Sequence, residues 1–222
     1  MVAHIEPLVM ALREQLVKLM SRLDALRYSP VTPELIDEVL DLDYQGGRLS
    51  RRLRILDVEG LLNLSALAPT QAAQLARVAV DEIREGCRRR EIDLDVRLAT
   101  TLPHVLVDAD QLVEAVRCAL DAAIDTIERG GRIHVSAVAA ERGVEIRVAY
   151  SAHRGETPDV GSSVALLIAH QLVGALGGEV AVTRANESTE VALVLPQSLV
   201  ARGGANRALA NRTWIFPTPS AA

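Results

Sequence analysis

Apolar residues recur at helical spacing in the first quarter of the chain. Between residues 5 and 28 the intervals alternate between three and four, the a/d pattern of a helical seam, at Val9, Leu12, Leu16, Leu19, Leu23 and Leu26. After a break at 28–33, Thr32 is placed to cap a second helix that has Pro33 in its first turn. That helix continues the pattern at Leu35, Val39, Leu42, Gly46, Leu49, Leu53 and Leu56. The pattern predicts an antiparallel helical hairpin.

Two antiparallel helices leave half of such a seam in contact with water. A second copy would cover it, which predicts a homodimeric four-helix bundle; the alternative is a hairpin that folds back onto the rest of the chain. The predicted dimer interface is formed by Leu12, Leu16, Leu19, Leu23, Leu42, Leu49, Leu53 and Leu56. The second helix also carries a basic stripe, residues 48–54, which is either a solvated face or a docking surface. On this helix, the candidate docking residues are Tyr44, Arg48 and Arg51.

After residues 68–70 the pattern mixes helices with strands. Helices are predicted at 71–90, 108–128 and 162–176, with Asp108 capping the second, and strands at 92–98, 133–139, 144–150, 179–183 and 190–195. Helices on one face of a mixed sheet form an α/β sandwich. The predicted fold class is therefore α+β, an N-terminal helical hairpin followed by an α/β sandwich. The predicted division is a hairpin at 1–67, a sandwich domain at 71–198 and a C-terminal tail at 199–222.

Composition narrows the possible functions of this chain of 222 residues. Aromatic residues make up only 2% of it, which disfavours sites that stack bases on aromatic platforms, and a formal net charge of −5 disfavours nucleic-acid binding. No apolar run is long enough to cross a bilayer, and the N-terminus lacks the order of a signal peptide. The two cysteines, Cys87 and Cys118, have no metal or redox spacing. We expect a soluble, cytoplasmic protein with no bound metal or cofactor.

Several short motifs occur in an order that resembles a known family. They are Leu102-Pro103 before the Asp108 helix, the turn Gly130-Gly131-Arg132-Ile133-His134-Val135, Leu172-Val173 with Gly177-Gly178-Glu179-Val180, and the final Val191-Ala192-Leu193-Val194-Leu195-Pro196. Residues 71–196 resemble the ATP-binding domain of histidine kinases, the GHKL fold, and residues 5–62 resemble their dimerisation and phosphoacceptor helices. The stretch Leu42-Asp43-Tyr44, followed by Arg48-Leu49-Ser50-Arg51-Arg52, further resembles actinobacterial sensor kinases, in which a His usually follows that Leu-Asp.

The nucleotide motifs of that family are replaced here. The resemblance implies an Asn that holds magnesium at the position of Ala122, with Cys118 one turn earlier on the same helix, and we expect the nearby Asp121 and Asp125 to face solvent. It implies an adenine-binding Asp at Tyr150, whose ring we expect to fill the adenine volume. The rest of the degenerate site comprises Ala152 and Gly155, followed by Gly161, Ser163 and Ala165, where only Gly161 remains of three usual glycines.

The phosphoacceptor histidine of the family is also missing from the predicted hairpin. Only His4 lies near it, and the Glu6 and Pro7 that follow have the wrong spacing for the family's acceptor motif. His4 is therefore a weak candidate phosphoacceptor. The other four histidines lie in the predicted sandwich domain, and no pair of histidines has the spacing of metal ligands.

The C-terminal tail contains the only Trp and the only Phe of the chain, Trp214 and Phe216. They either dock on the same chain or its dimer mate, or anchor a partner.

Together these observations predict a catalytically degenerate, histidine-kinase-like dimer that acts as a signalling scaffold, does not bind ATP and binds a response regulator or another signalling protein. One alternative is a kinase-derived histidine phosphotransferase that relays phosphate between receiver domains. The other is a residual ATP-binding sensor kinase. The sequence also leaves open whether the hairpin pairs with itself or with a homologous kinase.

Overall fold

A computed structural model describes residues 5–26, 32–57, 67–127, 129–151, 163–185 and 188–197. Two long helices come first: α1, Ile5–Leu26, and α2, Pro33–Asp57. The side-chain oxygen of Thr32 accepts a hydrogen bond from the backbone N–H of Leu35 at 3.3 Å, so Thr32 caps α2 as predicted. Arg22 of α1 forms ion pairs with Glu38 and Asp41 of α2. The N-terminal part of the chain is thus a helical hairpin.

The leucine seam of the hairpin is divided between two environments. Leu12 and Leu19 of α1 and Leu42 and Leu49 of α2, at seven-residue spacing on each helix, are buried within the protomer. The alternate positions on α1 remain outside, with Leu16 47% and Leu23 56% exposed. The side chains of the two remaining predicted interface residues, Leu53 and Leu56, lie outside the described part of the structure. Four of the predicted interface leucines are therefore buried within the chain, and two of them face outward.

The rest of the described chain forms an α/β sandwich. Its three helices are α3, Ala72–Arg89, α4, Ala109–Thr126, and α5, Val164–Ala175. Its strands are β1, Ala68–Gln71, β2, Asp93–Leu98, β3, His104–Val107, β4, Arg132–Ala140, β5, Gly143–Ser151, β6, Glu179–Ala185, and β7, Ser188–Pro196. Strands β1 and β3 form a separate antiparallel pair. Sequence reasoning treated β1 as a break and β3 as a connection, because strands of four residues show too little alternation to detect.

The main sheet has the order β2-β4-β5-β7-β6, and only the β2–β4 pair is parallel. Alternate residues of the central strands are buried beneath the helices, such as Ile133 and Val135 on β4 and Ile146 and Val148 on β5. The opposite face of the sheet carries polar and small side chains. The mixed sheet covered by helices on one face confirms the predicted fold class.

Two side-chain caps begin α4 and α5, and only the one at Asp108 is among the predictions. Asp108 accepts a hydrogen bond from the backbone N–H of Gln111 at 3.1 Å and begins α4, and Ser163 accepts one from that of Leu166 at 3.4 Å and begins α5. The hairpin packs on this sandwich, with α1 in contact with α5, and its buried leucines join the same apolar core. Within one protomer, the hairpin is therefore folded back onto the rest of the chain.

Candidate functional site

The middle of α4 carries Ala122 and Cys118, the positions at which the family resemblance implies magnesium binding. Ala122 and Cys118 are almost completely buried, because α4 packs between α3 and α5. The methyl group of Ala122 has no atom that can bind a metal ion. The thiol of Cys118 lies 3.8 Å from a carboxylate oxygen of Glu114, one turn earlier on the helix. This part of α4 is an apolar packing surface.

Tyr150 lies near the end of β5, opposite Ile133 of β4 and Thr189 of β7. Its side chain is buried beneath the helices, and its hydroxyl is directed toward Thr126 at the end of α4. Thr126 donates its own hydroxyl to the carbonyl of Ala122 at 2.7 Å. Among the described residues, the Tyr150 hydroxyl makes no hydrogen bond of good geometry. Burial raises the pKa of Tyr150, although the contact with Thr126 partly opposes this.

Asp121 of α4 is buried, contrary to the expectation that it faces solvent. It is covered by Arg48 of α2, whose side chain and that of Asp121 are each only 5% exposed. Arg48 Nε lies 2.8 Å from Asp121 Oδ1, a close charge contact without hydrogen-bond geometry, and Arg48 Nη2 donates to the backbone carbonyl of Asp121 at 3.0 Å. The cause of the burial is thus a residue 73 positions away in the chain.

Asp125, one turn further along α4, completes the cluster. Both terminal nitrogens of Arg48 donate to its two carboxylate oxygens at 2.8 Å, a bidentate pair. Asp125 keeps 45% of its side chain exposed, so the cluster is closed on one side and open to water on the other. Burial acts to lower the pKa of Arg48, but the carboxylates of Asp125 and Asp121 outweigh it and raise that pKa. The guanidinium is therefore a permanent positive charge that α2 holds against the carboxylates of α4.

Tyr44, one turn before Arg48 on α2, contacts both Arg48 and helix α3. Its ring centre lies 5.6 Å from the central carbon of the Arg48 guanidinium, a cation–π distance. The ring also rests on Gly86 of α3, where a Cβ atom would lie only 2.6 Å from ring atoms. We call Tyr44, Arg48, Gly86, Asp121 and Asp125 the clamp. Tyr44 and Arg48, two of the predicted docking residues, thus contact the sandwich of their own chain.

Sequence reasoning missed the acceptor side of the clamp. A signal was present, because Tyr44 and Arg48 are four residues apart, as are Asp121 and Asp125, so each pair lies on one helix face. Nothing in the sequence indicates that these two faces meet, since that depends on the tertiary arrangement. Gly86 likewise gives no signal by itself.

The remaining predicted site residues are placed as follows. Ser163 is the N-cap of α5, and Ala165 is buried in its first turn. Ala152, Gly155, Gly161, His4, Trp214 and Phe216 lie outside the described residues, as does the side chain of Arg51. Since the hydroxyl of Ser163 already accepts from the N–H of Leu166, the chain itself satisfies part of the amide-rich end of α5.

Across the described ranges, no three His, Cys, Asp or Glu side chains come together as a metal-binding group. No helix in that part of the chain is both long and apolar enough to cross a membrane.

Comparisons with known proteins give a match in structure but not in sequence. No protein-family model and no curated protein matches this chain. Histidine kinase AdeS of Acinetobacter baumannii superimposes with a TM-score of 0.58 at 16% identity, over 83% of this chain and 96% of that one. Histidine kinase ThkA, solved in complex with the response regulator TrrA, gives 0.57 at 16% identity, over 85% of this chain and 59% of that one.

A third solved structure, full-length ShkA in complex with AMPPNP, has a TM-score of 0.54 at 23% identity. It matches over 86% of this chain and 45% of that one. Identities this low establish the fold alone. The hairpin followed by a five-stranded sandwich is therefore histidine-kinase-like in its fold, as the sequence motifs suggested.

Proposed function

We propose that this chain is a histidine-kinase-like signalling protein that has given up ATP binding and acts as a dimeric scaffold for a regulatory partner. One observation carries the proposal: Arg48 of the hairpin engages Asp121 and Asp125, the two carboxylates nearest to Ala122 along α4. Ala122 offers no ligand, and Asp121 and Asp125 are both engaged by the guanidinium. A magnesium ion would have to displace a buried, bidentate arginine and leave its charge uncompensated.

The adenine end of the site supports the same conclusion. The family's Asp would present a carboxylate to the adenine amino group, whereas Tyr150 places a ring in the packed layer between β5 and α4. A nucleotide base would need that volume. Loss of the carboxylate and occupation of the space both oppose binding, and they act independently of Arg48.

The outward face of the hairpin supports a dimer. Besides Leu16 and Leu23 of the seam, this face exposes further large apolar side chains, which are Met10, Val17, Met20, Ile36, Val39 and Leu40. An apolar surface of this extent on two packed helices is typical of an association face. Pairing with a second copy would complete a four-helix bundle without disturbing the leucines already buried in the protomer. The proposed interface therefore consists of the outward residues rather than Leu12, Leu19, Leu42 and Leu49.

A response regulator is the proposed partner class. The support is that ThkA, which shares this fold, has been solved in complex with the response regulator TrrA. The division of the chain into a hairpin domain, a sandwich domain and a tail is part of the same proposal.

Titration calorimetry of the full chain with ATP and magnesium tests the loss of nucleotide binding. An ATP-binding histidine kinase, measured in the same buffer, serves as the positive control. We expect no binding heat for this chain. Binding at micromolar ATP would contradict the proposal and favour the residual sensor kinase.

A phosphotransfer assay tests the other alternative. The chain is incubated with a receiver domain that carries labelled phosphate, in parallel with its His4→Gln variant. We expect no label on either chain. Label that is retained on the wild type and lost from His4→Gln would identify a phosphotransferase instead of a scaffold.

Light scattering after size-exclusion chromatography tests the dimer. We expect a dimeric mass for the wild type and a monomeric mass for Leu16→Glu/Leu23→Glu, whose substitutions lie outside the protomer core. Lys18→Glu, an exposed change on the same helix, is the matched control and should remain dimeric. A monomeric wild type would contradict the proposed bundle.

A further inference from the structure

A groove lies between α2 and α3, on the far side of Tyr44 from the core of the sandwich. It has a volume of about 490 Å³ and is lined on these helices by Asp43, Tyr44, Glu82, Ile83, Glu85 and Gly86, among others. Ile83 and Gly86 are buried, and the Tyr44 ring rests on Gly86, so the groove has an apolar, partly aromatic floor. Its rim carries the carboxylates. A concave site of this size and character accommodates one large side chain with its neighbours.

The charge that remains available at the rim is negative. The two arginines that also line the groove, Arg89 and Arg117, are already paired, Arg89 with Glu85 at 3.2 Å and Arg117 with Glu82 at 2.6 Å. Arg117 further contacts Glu114, so two carboxylates share that guanidinium, whereas Glu85 is also paired with Arg88 at 2.7 Å. The negative charge that remains available at the rim is therefore that of Asp43. Asp43 is exposed and has no ion-pair partner within the ranges that the structure describes. The groove thus combines an apolar floor with an acidic rim.

One segment of this chain has the complementary chemistry. Residues 198–222 contain three arginines, Arg202, Arg207 and Arg212, and no acidic residue, whereas the first 197 residues carry a formal net charge of −8. The same segment holds the apolar run Trp214-Ile215-Phe216, two residues after Arg212. An arginine followed closely by an aromatic cluster matches an acidic rim beside an apolar floor.

We propose that residues 212–216 of the same chain occupy this groove, with the indole of Trp214 on the apolar floor and Arg212 at the acidic rim near Asp43. Trp214 would then contact Tyr44, since aromatic rings pair favourably when they are offset or edge-to-face. The groove lies between the hairpin and the sandwich. The tail would therefore connect the two units beside the clamp, whether or not the protein binds ATP.

The chain is long enough for this placement. The last described residues, at the end of β7, lie beside Gly143 at the start of β5. The groove is lined by the C-terminal half of α3, which leads into β2. The first residue of β2, Asp93, pairs with Arg132 at the opposite end of the sheet. The tail must therefore pass along a strand of nine residues, about 30 Å. The stretch from Gln197 to Trp214 spans up to roughly 55 Å when extended.

Intrinsic fluorescence of the full chain tests the proposal, because Trp214 is the only tryptophan. We expect an emission that is blue-shifted relative to free tryptophan and poorly quenched by acrylamide. The variant Asp43→Lys reverses the charge at the rim and should shift the emission toward that of exposed tryptophan. Asp37→Lys makes the same charge change at an exposed position of the same helix and should leave the emission unchanged.

Engineered disulfides locate the tail independently of that variant. The native Cys87 and Cys118 are buried, so added cysteines are the accessible ones. In Asp43→Cys/Thr213→Cys we expect an intramolecular disulfide under mild oxidation, seen as faster migration without reductant. Asp37→Cys/Thr213→Cys is the control, for which we expect at most a tenth of that yield.

Each contrary result overturns the proposal. Emission typical of water-exposed tryptophan in the wild type would show that Trp214 is not docked. A blue-shifted emission that is insensitive to Asp43→Lys, but lost in Leu16→Glu/Leu23→Glu, would place the tail on the outward hairpin face. A disulfide-linked dimer of Asp43→Cys/Thr213→Cys would place it in the groove of a second copy.

Discussion

The clamp and the outer face of the sheet both pair arginine with carboxylates, but they differ in burial. In the clamp, Arg48 and Asp121 have almost no contact with water. On the outer face, Arg132 of β4 pairs with Asp93, its direct neighbour on β2, at the same distance of 2.8 Å, with both side chains more than half exposed. The charge pairs and distances match. Only the cost of breaking them differs, because a buried charge left alone cannot be compensated by water.

The comparison teaches where to look for function in this molecule. Exposed ion pairs such as Arg132–Asp93 contribute little and can change freely. The clamp connects elements that are 73 to 77 residues apart and fixes the hairpin against the helix that would carry the magnesium ligand. The charged residues that matter are therefore few, buried and distant in sequence.

Arg48→Ala is the variant with the largest expected effect. It leaves the Asp121 carboxylate buried without its partner, which should lower the free energy of unfolding by about 3–5 kcal/mol in urea denaturation. The double variant Arg48→Met/Asp121→Leu removes both charges and should recover most of that loss. If Arg48→Ala lowers the free energy of unfolding by less than about 1 kcal/mol, the buried clamp contributes no more than an exposed pair on the outer face.

Gly86→Ala tests the contact that seats Tyr44. The new methyl group would lie 2.6 Å from the ring, so the ring must move, and we expect a loss of about 1–3 kcal/mol. Gly174→Ala is the matched control, since that helical glycine has open space around it and should gain up to about 1 kcal/mol. Equal effects at the two glycines would show that Tyr44 does not depend on close contact with α3.

Tyr150→Phe tests how much a buried, uncharged hydroxyl group contributes to stability. Removing a hydroxyl that lacks a well-formed hydrogen bond should change stability by less than about 1 kcal/mol, in the stabilising direction. The raised pKa of Tyr150 means that the unfolded chain loses its phenolic proton first as the pH rises above about 10. The wild type should therefore lose stability in that range more steeply than Tyr150→Phe. Parallel alkaline unfolding curves would contradict the burial of this ring.

Arg132→Ala should have the smallest effect. Its pair with Asp93 is exposed on the outer face, so we expect a change within about 0.5 kcal/mol that diminishes further as salt is added. A loss comparable to that of Arg48→Ala would mean that burial does not decide the contribution of these pairs.

Local patterns predicted most of the fold. The predicted caps at Thr32 and Asp108 bind the backbone of their own helices, and the bounds of the helices and long strands follow from the periodicity of apolar residues. The two four-residue strands escaped detection because they are too short to show alternation. The clamp could not be predicted, since its two halves are separated by more than 70 residues and pair only when the tertiary fold brings them together.

The candidate site was predicted by resemblance more than by physics. Ala122 and Tyr150 were identified as the positions at which the resemblance implies an Asn and an Asp, and the structure buries both. The same reasoning assigned Asp121 to solvent, because helix geometry alone indicates which face a residue occupies but not what covers that face. The covering residue, Arg48, had been interpreted as part of a surface stripe.

The division of the leucine seam has a consequence for how this protein can diverge. Leu12, Leu19, Leu42 and Leu49 are buried in the core of the chain, while Leu16 and Leu23 keep about half of their side chains exposed. Substitutions at the outward positions can therefore accumulate without loss of the folded chain. In the proposed dimer, two gene copies that differ only there would keep the same architecture yet stop recognising each other, so association specificity could evolve separately from stability.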